Sequence, residues 1–446
     1  MKQQRICILL LLLLAGLGAC SPGHLGSNEI AFLRDGHLWT IDPDGANAFE
    51  IVADTVPVVG YTWSPTHQIL MYRTLDPDFA KTAAGKHVLT QPVTQLVGDL
   101  PSTLNTIGID GGNAIPIQFS DSAVQNSNAW WNTSGNRLLY REETTNASQT
   151  PGSVLWWVSQ NDQPGGIARK SLPGSFSIPS IAPDNSLAIG NSKQGLFTTT
   201  LSGTNLHYLV RDTLPGHPMI ATLERVLWQP AHAQSALLYA IASSPGQSAS
   251  FGTSANVELV LRDVHGQMTT VTTCACIQFG WSPDGNHILY SSGSTYTLFN
   301  SNDHTSFSFS ASRESVPYWS PDSQFLLLDS LHKLTLIRIA NRQQEVLLSD
   351  NIQSATQQQG SGSEVSINAL LQPVSNSPWA SDSRHFLFLT RGRSSWQGSS
   401  LQSGTGLYTV AIDDAGKPQG TPVLIDAGDD AQAGWTYEDP ATSFIY

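Results

Sequence analysis

A tryptophan-led segment recurs along the chain and limits its possible folds more than any other feature. It is clearest as WSPDGNHILY from Trp281, WSPDSQFLLL from Trp319 and WSPTHQILMY from Trp63. Looser copies begin at positions 131, 181, 228, 379 and 435, so that consecutive copies start 38–68 residues apart. Repeats of roughly 40–50 residues are typical of folds that place copies of one supersecondary unit side by side. The sequence therefore predicts an array of equivalent units.

Each unit reads as a hairpin followed by two further strands. The Trp ends a strand, and Ser-Pro-Asp-Gly is a tight turn: Pro sets φ, Asp bonds back to the backbone and Gly accepts positive φ. The apolar run after the turn predicts a buried strand. A third strand, as at 38–42, and a fourth, as at 49–52, complete the unit. Four antiparallel strands per repeat are the composition of a propeller blade.

The WSPDG segment with its following apolar strand resembles the TolB-like, WD-type β-propeller repeats of bacterial envelope proteins. The resemblance covers residues 29–446 and implies an all-β fold, a single β-propeller of four-stranded blades. Eight repeat starts predict eight blades, closed by pairing of an N-terminal strand at 29–32 with a C-terminal strand near Trp435. The segment 443–446 also reads as a strand and would compete for that place, so seven blades is the alternative.

The first residues predict export and lipid attachment. Lys2 and Arg5 precede an apolar run at 6–14, which is too short to span a bilayer. The sequence LGAC then ends at Cys20 and resembles a bacterial lipobox. We expect a signal peptide at 1–19, an acylated Cys20 with a tether at 20–28, and an extracytoplasmic protein anchored to the bacterial cell membrane or envelope. The alternatives are a plain signal peptide with a chance Cys, or an uncleaved anchor.

Long insertions are predicted at one end of the blades. They fall between second and third strands at 73–103, 141–153, 243–256 and 391–405, and between repeats at 211–222 and 349–376. Loops on a rigid scaffold are where binding concentrates, although surface loops also lengthen at little energetic cost. Trp396, with Arg393 beside it, is the candidate contact. Its alternative is to fold onto its own loop.

Composition and motifs favour a binding protein over an enzyme. The net charge of −13 argues against a nucleic-acid partner. No Gly-x-Ser-x-Gly or His-Glu-x-x-His motif occurs, and no cofactor or metal site is expected. Cys274 and Cys276 are open to three readings: free or structural thiols, a small-ring disulfide, or a metal or redox pair. The predicted function is a non-catalytic scaffold that binds a protein, peptide or glycan through the long loops. The alternative is a quinoprotein-like or glycan-active enzyme, or a sensor, that binds a small molecule in a central channel.

Overall fold

The structure is a computed structural model, and it describes most of the repeat region. The signal peptide, Cys20, the tether and Arg393 lie outside the described residues, as do the larger parts of several insertions. The described residues are 30–52, 55–64, 69–89, 100–108, 111, 114–116, 124–125, 129–131, 138–144, 154–160, 168–171, 180–182, 187–192, 195–200, 205, 207–211, 226–230, 236–242, 257–313, 315–330, 333–350, 371–372, 378–390, 394–401, 404–428 and 430–435.

The N-terminal half of the described chain forms four antiparallel sheets, numbered in chain order. Sheet 1 contains β1 (Ile30–Arg34), β2 (His37–Ile41) and β3 (Phe49–Val52). Sheet 2 contains β4 (Val58–Trp63), β5 (Ile69–Leu75), β6 (Ser102–Gly108) and β7 (Ile115–Pro116). Sheet 3 contains β8 (Val124–Gln125), β9 (Ala129–Trp131), β10 (Leu138–Thr144), β11 (Val154–Gln160) and β12 (Ala168–Ser171). Sheet 4 contains β13 (Ser180–Ile181), β14 (Leu187–Ser192), β15 (Gly195–Thr200) and β16 (His207–Arg211).

The C-terminal half forms four more sheets. Sheet 5 contains β17 (Val226–Trp228), β18 (Leu237–Ala242), β19 (Val257–Arg262) and β20 (Met268–Cys274). Sheet 6 contains β21 (Cys276–Trp281), β22 (His287–Ser292), β23 (Thr295–Asn300) and β24 (Ser306–Ser310). Sheet 7 contains β25 (Val316–Trp319), β26 (Phe325–Ser330), β27 (Lys333–Arg338) and β28 (Gln343–Asp350), extended by β31 (Ser394–Trp396) and β32 (Ser399–Ser400). Sheet 8 contains β29 (Leu371–Gln372), β30 (His385–Thr390), β33 (Gly406–Ala411) and β34 (Val423–Asp426).

The tryptophan repeat builds the hairpin between the first two strands of a sheet. Trp63 lies opposite Leu70, Trp281 opposite Ile288 and Trp319 opposite Leu326, seven residues later each time. The same spacing joins residues 131 and 138, 181 and 188, and 379 and 386. One turn of fixed length therefore sets the register in most repeats, as the sequence pattern predicts.

Both ends of the described chain meet in sheet 1. Its fourth strand is β35 (Ala431–Trp435), which pairs with β1 so that Ile30 lies opposite Trp435 and Ala31 opposite Gly434. β1 thus takes the position that the strand after the turn holds in the other repeats. Residues 443–446, the competing strand of the sequence prediction, lie outside the described residues.

The core lies between neighbouring sheets. Buried tryptophans of the repeat (Trp63, Trp281, Trp319, Trp379 and Trp435) are among its largest side chains. One apolar cluster joins sheets 5 and 6, and others join sheets 6 and 7, 7 and 8, 8 and 1, and 1 and 2. Consecutive antiparallel sheets that bury their faces against one another constitute a β-propeller-type fold.

Two short helices interrupt sheet 2. α1 (Pro77–Lys81) and α2 (Ala83–Leu89) lie within the insertion between β5 and β6. Neither was predicted from the repeat pattern. A signal for them exists in Asp76-Pro77, because Asp is a favoured N-cap residue and Pro a favoured first residue of a helix.

Candidate functional site

The two ends of the sheets differ in how the strands are connected. Because antiparallel neighbours alternate in direction, the connections from first to second and from third to fourth strands share one end, which we call the turn end. The remaining connections share the other, which we call the insert end. Two insertions are described in continuous stretches at the insert end, over 73–89 and 394–401. These two insertions form the candidate functional site.

The first insertion begins with a well-capped helix. The Asp76 carboxylate accepts hydrogen bonds from the backbone N–H groups of Asp78 at 2.9 Å and Phe79 at 2.7 Å. The Thr82 hydroxyl accepts a hydrogen bond from the Gly85 N–H at 3.0 Å and so caps α2. Capping satisfies backbone donors that a short helix otherwise leaves exposed. Local sequence therefore specifies this helical pair.

The helical pair is fixed to sheet 2 by apolar packing. Phe79, Ala80 and Val88 pack against Val59 and Leu75 of sheet 2. At Gly85 the two helices approach so closely that a Cβ atom would collide with the Phe79 carbonyl group. Residues 77–89 are called the platform from this point on, since they form a preformed surface held by the sheet beneath it.

The outer surface of the platform carries both charge and apolar area. The Lys81 ammonium donates to the Asp78 carboxylate at 2.8 Å, and this hydrogen bond, with the charge of Asp78, raises the pKa of Lys81. Lys86 and Leu89 are also exposed. Exposed ion pairs add little to stability, so these groups are available to a partner at small cost to the fold.

The second insertion is a strand addition to the neighbouring sheet. β31 leaves sheet 8 and pairs with β28 of sheet 7, placing Trp396 opposite Leu348. The indole of Trp396 is 2% exposed and stacks on Phe388, with ring centroids 5.6 Å apart and planes 4° apart. The candidate contact role of Trp396 does not fit this position, because the side chain presents almost no surface to a partner. Arg393 lies outside the described residues.

The cysteine pair is joined in the structure. Cys274 at the end of β20 and Cys276 at the start of β21 form a disulfide, with their Cα atoms 5.1 Å apart. Of the three readings open from the sequence, the structure shows the disulfide. It closes a very short loop at the connection from sheet 5 to sheet 6.

An ionic cluster lies where the ends of the chain meet. The Arg34 side chain forms ion pairs with Asp426 at the end of β34 and, at 2.9 Å from its Nε, with Asp430 just before β35. The Asp430 side chain is fully buried, whereas that of Arg34 is 27% exposed. The Arg34 guanidinium also lies 5.0 Å above the ring of Phe32. The cluster joins sheet 8 to sheet 1 at the insert end, and the repeat pattern contains no sign of it.

Side chains of the repeat connect neighbouring sheets at the turn end. The Asp284 N–H donates to the Ser323 hydroxyl at 3.0 Å, and the Asp322 N–H donates to the Ser383 hydroxyl at 2.9 Å. Arg384 donates to the Asp322 carboxylate at 2.7 Å. The repeated Asp and Ser residues therefore hold adjacent turns together, which agrees with the structural role that the repeat suggests for them.

Hydrogen bonding also fixes the charge of the turn carboxylates. Burial raises the pKa of Asp284, but hydrogen bonds from Ser282 and Asn286 outweigh it and hold that pKa below its usual value. Burial likewise raises the pKa of Asp382, but hydrogen bonds from Arg384 and His385 outweigh it and lower that pKa below its usual value. These carboxylates are ionised turn elements at neutral pH.

Two ionisable groups inside the sheets have strongly raised pKa values. Burial raises the pKa of Asp329 in β26 well above its usual value. Burial also raises the pKa of Tyr296 in β23 to about 12, while its hydroxyl donates to the Ser315 carbonyl at 2.7 Å. Both residues lie on strands and are almost fully buried, so their shifts reflect the apolar interior.

In the part of the chain that the structure describes, no three or more His, Cys, Asp or Glu side chains are grouped so that they could hold a metal ion. Among the described helices, none combines the length and the apolar character needed to cross a membrane.

Comparison with known proteins supports the fold alone. No family model and no curated protein matches the chain. Among solved structures, one titled crystal structure of the eukaryotic initiation factor is similar, with a TM-score of 0.53, 12% identity, and coverage of 92% of this chain and 99% of that chain. Oligogalacturonate lyase in complex with manganese gives a TM-score of 0.43 at 12% identity, covering 87% and 97%. The dihydro-heme d1 dehydrogenase NirN gives 0.41 at 11% identity, covering 71% and 72%.

Proposed function

We propose that this chain is a lipid-anchored, extracytoplasmic β-propeller of the TolB-like type that binds a protein, peptide or glycan partner without catalysis. The partner binds at the insert end. The observation that carries the proposal is the platform, a capped and packed helical pair that exposes Lys81, Lys86 and Leu89 beside sheet 2. Preformed surfaces bind with a smaller ordering cost than flexible loops do.

The scaffold in this proposal is a ring of eight blades. Its support is the pairing of β1 with β35, together with the apolar cluster that joins sheet 8 to sheet 1. In a closed ring the first and last blades pack against each other, so neither leaves an apolar face open to solvent. A rigid ring would hold the platform in one orientation relative to the other blades.

Matched photocrosslinking tests the binding end. A photoreactive amino acid replaces Lys86 on the platform or, as the control, Lys417 at the turn end, both exposed lysines. In native membranes we expect covalent adducts from position 86 and none from position 417. Equal adduct formation at the two positions, or none at position 86, would show that the platform is not the binding surface.

The anchor is tested separately from the binding surface. Cys20→Ser should abolish incorporation of a labelled fatty acid and move the protein from the membrane fraction to the soluble one. Cys7→Ser, in the apolar run of the leader, is the control and should leave both unchanged. Normal fatty-acid incorporation in Cys20→Ser would refute acylation at that residue.

A further inference from the structure

The outer edges of the sheets are the places where a strand of another chain could pair with this one. An unpaired edge strand offers its backbone N–H and C=O groups to another chain, and proteins block such edges with charges, prolines, bulges, very short strands or covering segments. The last strands of the repeats, each at the outer edge of its sheet except β28, are β3, β7, β12, β16, β20, β24, β28 and β34.

Seven of these described edges carry a blocking feature. A register shift interrupts the pairing of β3, β16, β20, β28 and β34 with the preceding strand. β7 contains Pro116, and β12 contains Arg169 and Lys170. β28 is also covered by β31. Blocking is thus the rule among the described edges.

β24 differs from the other seven. Its five residues, SFSFS, pair with β23 in unbroken register from Thr295–Ser310 to Phe299–Ser306. The strand contains no charged residue and no proline. The insertion that covers β28 belongs to the following sheet, but the corresponding connection from β26 to β27 spans two residues, which is too short to form a covering strand.

The backbone groups that point away from β23 can be assigned from two hydrogen bonds. The Ala311 N–H donates to the Ser294 carbonyl at 3.0 Å, and the Thr305 carbonyl accepts from the Asn300 N–H at 2.8 Å. Since backbone direction alternates along a strand, residues 305, 307, 309 and 311 face β23. Ser306, Ser308 and Ser310 therefore direct their N–H and C=O groups outward, and all three residues are exposed.

From this edge we propose that β24 is a self-association site, at which it pairs antiparallel with β24 of a second copy of this chain about a two-fold axis at Ser308. The sequence SFSFS is a palindrome, so this register places Ser306 opposite Ser310 and Phe307 opposite Phe309. Every outward N–H and C=O group of both strands then has a partner. A two-fold interface requires this kind of self-complementarity.

Charge and size indicate a weak, salt-dependent dimer. One short strand pair buries less than the ~1,200 Å² of a standard interface, so the association is transient. The net charge of −13 repels a second copy, and salt screens that repulsion. Raising the ionic strength from low to moderate should therefore strengthen dimerisation. The paired strands themselves are uncharged, so salt does not weaken the contacts between them.

Cysteine crosslinking of the full chain in detergent tests the register directly. In the proposed pair the two Ser308 Cα atoms lie ~5.5 Å apart, within disulfide range. Ser308→Cys alone should form disulfide dimers under mild oxidation. Ser306→Cys and Ser310→Cys should each fail alone, because equivalent atoms lie ~13 Å apart, but should crosslink when mixed. The chain without an added cysteine is the control, and it shows any disulfide dimers that the native cysteines form.

Sedimentation velocity tests the association itself. The unmodified chain should dimerise with rising concentration, and Ser308→Lys should weaken this about tenfold or more by opposing like charges. Thr273→Lys, on the interrupted edge β20, is the matched control and should change nothing. Thermal unfolding of both variants checks that the fold persists. A chain that stays monomeric to about 1 mM, a dimer insensitive to Ser308→Lys, or crosslinks in another register would each overturn the proposal.

Discussion

Replacing Arg34 with Met tests how the two ends of the chain are held together. The substitution keeps the length and apolar stem of the side chain above Phe32 but removes the cation that pairs with Asp426 and Asp430. The Asp430 side chain is fully buried, so the loss leaves a desolvated carboxylate without this partner. Two carboxylates of like charge then remain at one sheet junction.

The expected cost follows from burial. Removing one partner of a fully buried ion pair destabilises a protein by about 3–5 kcal/mol. Because the Arg34 side chain is 27% exposed, water already screens part of the interaction, and we expect a loss of about 2–4 kcal/mol in the free energy of unfolding. The measurement is the urea midpoint with an unchanged denaturant slope. Arg313→Met, at an exposed arginine, is the control and should stay within about 0.5 kcal/mol of the parent.

A second variant separates the buried charge from lost packing. Arg34→Met combined with Asp430→Asn should recover part of the stability, because the amide carries no charge to desolvate. Hydrogen exchange should show the loss of protection first in β1 and β35. A cost below about 0.5 kcal/mol for Arg34→Met, or simple additivity of the two substitutions, would refute the reasoning.

Three further predictions concern the interior and the disulfide. Trp396→Ala should lower the free energy of unfolding by about 3–5 kcal/mol, measured by urea denaturation, and proteolysis should then cut within 394–400; unchanged stability would indicate that the indole is not buried. Asp329→Asn should raise the thermal midpoint at pH 7. Because the pKa of Asp329 is raised in the folded state, its contribution to stability is fully present below the unfolded-state pKa of about 4 and is lost as pH rises. The difference in thermal midpoint between variant and parent should therefore disappear in acid. An equal difference in acid and at pH 7 would contradict this. Reducing the bond between Cys274 and Cys276 should cost only about 1.5 kcal/mol, since the loop is so short; alkylation with and without reductant, read by mass spectrometry, should show two more modified thiols in the reduced sample, and equal modification would contradict the bond.

The repeated hairpins could be predicted from sequence because their determinants are local. A fixed turn length and an alternation of Trp and apolar positions specify which residues lie opposite, as at Trp281 and Ile288. Where the turn contains an Asp, at Asp284, Asp322 and Asp382, its carboxylate accepts a backbone hydrogen bond within that turn, so its role was also predictable. Local chemistry is sufficient wherever both partners lie within one hairpin.

The insertions could not be predicted because their partners lie elsewhere. The ring of Trp396 stacks on Phe388 of β30 in sheet 8, but its backbone pairs with β28 of sheet 7. Gln397 and Gly398 form a two-residue turn in which both have positive φ, and of the two only Gly398 is a residue that such a turn favours. The pattern shows a hairpin but not the sheet it joins. The pairing of Arg34 with Asp430, 396 residues away, is likewise invisible locally.

The position of β35 beside β1 has a consequence for how this protein is made. The partner of Ile30 is Trp435, so the first and last strands that the structure describes are paired although 405 residues separate these two positions. At ~5–20 residues per second, an interval on the order of 20–80 s separates the two during translation. Throughout that interval one side of a short, almost wholly apolar strand has no native neighbour. Pairing of β1 with β35 is therefore a late step, which follows the synthesis of residues 431–435 however early the other sheets form.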